Sequence, residues 1–163
     1  MNRQSQTVSD GTMLSIRGKL RATDLERAGI LYARWAVGAA FLSAVASRFG
    51  LWDGTLDLKH FANFINYTAE VNSFLPKVVI PSVAILATVC ETLFGILLIL
   101  GAWLRWVSLG SAVLLAAFGT AMAISFGLKS PMDYSVFSAS GASALLAIDA
   151  FRRKRSLAGQ LKG

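Results

Sequence analysis

The sequence predicts an all-α polytopic membrane protein: a four-transmembrane-helix bundle with an interfacial helix between spans 1 and 2, and both termini cytoplasmic. Three observations carry that reading. The 163-residue chain is 55% hydrophobic but only 15% charged, whereas a soluble domain averages about 25% charged residues. Its mean hydropathy is +0.56, and four apolar segments reach or approach the roughly 20 residues a helix needs to cross a bilayer. Lysine and arginine, finally, fall mostly on one side of those segments.

Residues 1–27 are polar and basic and read as a cytoplasmic tail, with the first twelve (MNRQSQTVSDGT) expected to be mobile. The membrane domain is expected over residues 28–151. Its first span, 29–47, is interrupted by Arg34. The small-x-small triplet Ala44-Val45-Ala46 has the form of a cleavage site. The preceding polar region is too long for a signal peptide, however, and Arg34 lies inside the apolar part, so the span is read as retained. RFGLWDG then leads the chain out, with Trp52 suited to the headgroup level.

Residues 56–76 place Leu58, Phe61, Phe64, Ile65, Thr68, Val71 and Leu75 on one helical face, with Lys59, Asn63, Asn66 and Glu70 mostly opposite. Such a helix lies in the outer interface. Pro76 ends it, and Pro81 falls in the first turn of the next span, where proline is tolerated. The second span, 78–104, is interrupted by Glu91 at its centre; the third, 106–128, has no charge. Almost no loop separates them, which makes them a tight antiparallel hairpin. The fourth span, 134–151, is the shortest and has Asp149 near its end, and residues 152–163 form a basic cytoplasmic tail. Small residues recur every four positions at Ala36/Ala40/Ala44 and at Gly119/Ala123/Gly127. They recur again at Ala139/Ser143/Ala147. In lipid such stripes let helices approach closely.

A net charge of +7 suits nucleic acid as well as anionic lipid, but its distribution argues for a membrane. Eleven basic residues lie beyond the inner ends of the spans (Arg3, Arg17, Lys19, Arg21, Arg27, Arg105, Arg152, Arg153, Lys154, Arg155, Lys162). Four lie on the opposite side: Arg48, Lys59, Lys77 and Lys129. That asymmetry places both termini in the cytoplasm of a bacterial inner membrane, and the basic clusters suit anionic headgroups.

One cysteine, Cys90, excludes an internal dithiol relay, and one histidine, His60, excludes a bis-histidine haem. With so few soft ligands, no structural zinc or iron–sulfur cluster is expected, and no metal ligand is assigned. Phosphate- and dinucleotide-binding glycine motifs are missing. Cys90 reads as a packed small residue and His60 as a solvated one. Without an inverted repeat, a proton-coupled transporter is the weaker alternative.

What remains are charges inside the spans. A carboxylate at the centre of a bilayer costs about 3 kcal/mol or more, so Glu91 needs a compensating partner. Arg34 is the expected one. At 1.5 Å per residue it lies roughly 10 Å from the depth of Arg27, and Glu91 about 21 Å from that of Arg105, a difference two long side chains nearly span. Asp149, about 5 Å from the depth of Arg152, is a rival partner for Arg34. The charges therefore either fix how the spans pack or line a pocket for a polar headgroup such as a quinone.

The ordered motifs RWAVGAAFLSAVASRFGLW (Arg34, Arg48), ATVCETLFGILLILGAWLRW (Glu91, Gly95, Gly101, Arg105) and SPMDYSVFS (Asp133, Tyr134) resemble the DoxX family of small four-helix membrane proteins over about residues 27–150. Ser47 departs from the glycine-rich sequence that many members have before the second basic residue. The resemblance implies a quinone-contacting or accessory subunit of a membrane redox assembly, with no intrinsic cofactor and a redox protein as partner. In that reading Glu91 and Arg34 line a polar pocket with Arg48, Asp133 and Tyr134 at its outer mouth. Glu91 accepts a hydrogen bond or proton from a quinol, and Tyr134 donates one. The alternative is a non-catalytic scaffold or assembly factor in which the same charges only set helix packing.

Overall fold

The computed structural model describes the backbone of residues 4–54 and 56–160, and the side chains of residues 24–54 and 56–155. Every regular α-helical element among them is named here: α1 (Gln4–Arg48), α2 (Leu58–Val71), α3 (Ile80–Leu100), α4 (Leu104–Phe126), α5 (Lys129–Asp133) and α6 (Val136–Gln160). No strand occurs among the described residues. Residues 1–32 and 33–163 form two compact units. The first contains the N-terminal stretch of α1; every contact described below lies in the second.

Among the described residues three helices are long and apolar enough to cross a membrane: Asp24–Arg48, Lys77–Leu100 and Leu104–Phe126. The expected fourth span is not among them. In α6 the uncharged stretch runs only from 136 to 148 before Asp149, about 20 Å of helix, and a basic run follows at 152–155. Both predicted tails contain helical backbone, because α1 runs from Gln4 and α6 continues to Gln160. The outermost parts of those tails, residues 1–3 and 161–163, lie outside the described residues.

The expected hairpin of spans two and three is present, and its turn shows why so short a link suffices. Gly101 ends α3 at φ 76° and Trp103 precedes α4 at φ 46°. Two left-handed residues reverse the chain within a few positions, and glycine adopts that conformation without a Cβ penalty. Pro81 sits in the first turn of α3, as expected. The link after α4, where the sequence predicts only a short loop, contains the short helix α5.

The link between α1 and α2 turns through Gly50 (φ 70°) and Gly54 (φ 69°). Asp57 caps α2 by accepting a hydrogen bond from the Lys59 amide at 2.9 Å. Phe49 stacks on Phe61 at 5.7 Å, and the Trp52 indole N–H donates back to the Ser43 carbonyl. The far end of α2 is fixed to α4, since Ser125 Oγ donates to the Val71 carbonyl at 2.7 Å. Thr68 and Val71 are buried on the face expected to turn inward, and Leu58, at the start of α2, remains exposed.

α4 and α6 pack against each other in antiparallel order. Ser140 Oγ donates to the Ala112 carbonyl, and Trp106 meets Phe151 edge-on at 5.6 Å. Ser108, Ser111 and Ser143 are fully buried. Here small residues do permit close approach. In α1 they serve differently: Ala36 is exposed, while Ala40 and Ala44 line a cavity.

Candidate functional site

The close contact of α1 with α3 depends on two glycines. A Cβ on Gly38 would lie 3.0 Å from the Gly95 carbonyl oxygen, and one on Gly95 would lie 3.1 Å from that of Gly38. The two backbones therefore approach where neither residue has a side chain, and this contact sets the register between the helices. Phe41 then packs on Phe94, with ring centroids 6.5 Å apart. The same register delivers the last residue of α1, Arg48, to the middle of α3.

Arg48 forks onto Glu91. Its Nη1 lies 2.6 Å from Oε2, and its Nη2 donates to Oε1 at 2.9 Å. The Nη1–Oε2 contact is an ion pair without hydrogen-bond angles, so Oε2 has no directed donor. Nη1 also donates to Thr88 Oγ1 at 3.0 Å, and Thr88 in turn donates to the Ala84 carbonyl. The Phe64 ring of α2 covers the guanidinium face at 3.7 Å, a favourable cation–π placement. The Glu91 side chain is 3% exposed and that of Arg48 10%. One charge-assisted hydrogen bond, backed by a second close contact between unlike charges, is a strong pairing for these groups. It offsets the cost of a carboxylate at mid-span.

The expected partner, Arg34, does something else. Its Nε donates to the Leu98 carbonyl at 3.0 Å and its Nη2 to the Ile99 carbonyl at 3.2 Å. Those carbonyls belong to the last turn of α3, where no intrahelical donor remains, so Arg34 caps α3. Asp149, the rival, pairs with Arg153 one turn further along α6 at 2.7 Å. Asp133 pairs with Lys129 within α5, and Tyr134 is 72% exposed after it. Of the six sequence candidates, the structure brings together Glu91 and Arg48. Cys90 is half-buried, and His60 lies 3.3 Å from Asp53 near the start of α2.

Beside the ion pair is a cavity of about 430 Å³ bounded by α1, α2, α3, α4 and the first turn of α6. Alanines make the space: Ala40 and Ala44 from α1, Ala87 from α3, Ala117 and Ala121 from α4. Leu114, Phe118 and Met122 extend the apolar wall, and Arg48 and Glu91 form part of its polar edge. α2 contributes Phe64, Tyr67 and Thr68, and Asn72 follows at its C-terminal end. The Thr68 hydroxyl is taken up by the Phe64 carbonyl and the Asn72 amide by the Thr68 carbonyl. Burial, chiefly, pushes the Tyr67 hydroxyl above the usual tyrosine range, with nearby Tyr134 and Glu70 adding to it. Tyr67 therefore keeps its proton at neutral pH.

Tyr67, Thr88 and the alanine lining are site residues that the sequence reading does not single out. Thr88 has a legible signal, standing one turn before Glu91 on the same face. Phe64 belongs to the predicted inward face of α2, and Tyr67 follows it by three residues. The alanines carry a misleading signal, because the spacing that permits close packing equally leaves space open. Among the described residues no group of three or more His, Cys, Asp or Glu side chains is placed to hold a metal ion.

The chain matches the family model of the methylamine utilisation protein MauE over residues 26–133. The matched region runs from within α1 to the end of α5 and includes Arg34, Arg48, Glu91 and the α2 wall of the cavity. No curated protein and no solved structure gives a significant match. The family match spans well over half of the sequence, and the chain belongs to the MauE family of membrane proteins.

Proposed function

We propose that this MauE-family protein is a DoxX-like accessory subunit of a redox or substrate-utilisation assembly in the bacterial inner membrane, and that its cavity contacts a quinone. The family's description, methylamine utilisation, supports a place beside an oxidative enzyme. The observation that carries the reading is the cavity itself. Its volume of about 430 Å³ falls within the range of small-molecule sites, which are mostly apolar with a few convergent polar groups. A substituted ring with a hydrocarbon chain fits walls of alanine, leucine and phenylalanine with a polar edge at Arg48 and α2. The chain has one cysteine and so no dithiol of its own; electrons reach the quinone from a partner protein. In this reading α6 is the fourth span and both termini are cytoplasmic, following the basic residues.

The second reading is a scaffold, and one observation favours it: the Arg48–Glu91 pair is closed, with Thr88 and Phe64 around it. The two readings separate by filling the cavity. Protein purified from native membranes is expected to retain quinone, measured by solvent extraction and chromatography. Ala44→Leu is expected to abolish that retention while melting like the wild type. Wild-type protein with no more quinone than the surrounding lipid establishes the scaffold reading instead.

A further inference from the structure

We propose that Tyr67, on α2, is the hydrogen-bond donor that holds the polar end of the cavity's ligand, so that the site takes an uncharged molecule bearing a carbonyl or similar acceptor oxygen. The proposal rests on the cavity reading above and assigns its polar contact.

Tyr67 stands apart from the other polar groups that line the cavity, which are held in the ion pair or donate within the protein, with Glu91 Oε2 in ion contact but without a hydrogen bond. Glu91 offers no free charge, because Arg48 reaches both its oxygens. The positive charge of Arg48 is matched in the same pair, and Phe64 covers its guanidinium face. An anionic or cationic head would have to break that pair, at a site where unpaired charge is strongly disfavoured. Thr68 and the capping residue Asn72 donate to backbone carbonyls of α2. Tyr67 is 42% exposed; its ring packs against Phe126 at 6.2 Å and lines the cavity, and its hydroxyl makes no hydrogen bond among the described residues. That hydroxyl stays protonated at neutral pH and is available to donate. A ligand oriented in this way points its polar end at the amphipathic helix α2 and its hydrocarbon toward the alanine-lined bowl. The family resemblance implies Tyr134 as the donor, but that residue is 72% exposed and outside the cavity wall.

The experiment measures binding of radiolabelled decyl-benzoquinone to the full-length protein in nanodiscs. Tyr67→Phe removes only the hydroxyl and is expected to weaken binding about fivefold, the effect of one neutral hydrogen bond. Tyr134→Phe is expected to bind as the wild type, and dodecanoate, with a charged head on a similar chain, is expected not to compete. Circular dichroism melts of the Tyr67→Phe protein check that it is folded. If Tyr67→Phe binds as tightly as the wild type while Ala44→Leu blocks binding, the assignment of Tyr67 is overturned and the cavity reading survives. Effective competition by dodecanoate overturns the uncharged class. If the wild type does not bind the probe, or Ala44→Leu binds it equally, the cavity reading fails and the role of Tyr67 fails with it.

Discussion

Arg48 and Arg34 show how an arginine's role depends on its neighbour rather than on its depth. Counting 1.5 Å per residue, Arg34 lies about 10 Å to one side of Glu91 and Arg48 about 10 Å to the other. Depth alone does not choose between them. Arg48 has the carboxylate within reach together with Thr88 and Phe64, whereas Arg34 meets the carbonyl end of α3. Arg48→Ala leaves a buried carboxylate without a partner and is expected to destabilise the protein by about 3–5 kcal/mol. The double variant Arg48→Leu/Glu91→Leu removes both charges and is expected to recover most of that loss. Denaturation in mixed micelles measures both. Equal destabilisation of the single and double variants would show that the pair's charges are not coupled.

The helices are held in register by places where side chains are missing. Gly38 and Gly95 face each other, and a Cβ on Gly95 would also meet Leu42 at 2.9 Å. Gly95→Leu is therefore expected to separate α1 from α3, with a cost of about 1–3 kcal/mol for overpacking. The same shift moves the Ala40, Ala44 and Ala87 walls of the cavity, so the variant is also expected to lose quinone retention. The next residue, Ile96, is exposed and provides the comparison: Ile96→Leu is expected to change neither melting nor retention. Gly101 has a related role at the end of α3. It combines a left-handed backbone with the Arg34 guanidinium in the space a side chain would occupy. The alanines of α1 work in the opposite sense, since Ala40 and Ala44 leave a cavity open instead of bringing a helix closer.

At the scale of the whole chain, the number of crossings fixes where the C-terminus lies. Among the described residues three helices meet the length and apolarity of a span, and α6 packs beside α4 through Ser140, Phe151 and the buried Ser143. The proposed fourth crossing by α6 would put the C-terminus in the cytoplasm. Alkaline phosphatase fused after residue 163 is thus expected to be inactive, and fused in the link between α1 and α2 to be active. Activity at the C-terminal fusion would mean that α6 does not cross. The uncharged part of α6 is short for a span, but α4 beside it supplies burial and the basic run at 152–155 suits headgroups.

Periodicity and hydropathy are enough to identify the long helices, the inward face of α2, the tight α3–α4 turn and Glu91 as a residue needing compensation. Those properties are local: they depend on the spacing of apolar residues along one helix and on the cost of a charge in lipid. The partner of Glu91, the cap on α3 and the walls of the cavity are not legible there. Each depends on how far one helix slides and turns against another, and the glycine contact between α1 and α3 sets that relation. From it follow the pairing of Arg48 with Glu91, the placing of Arg34 on the end of α3, and the space that Tyr67 lines.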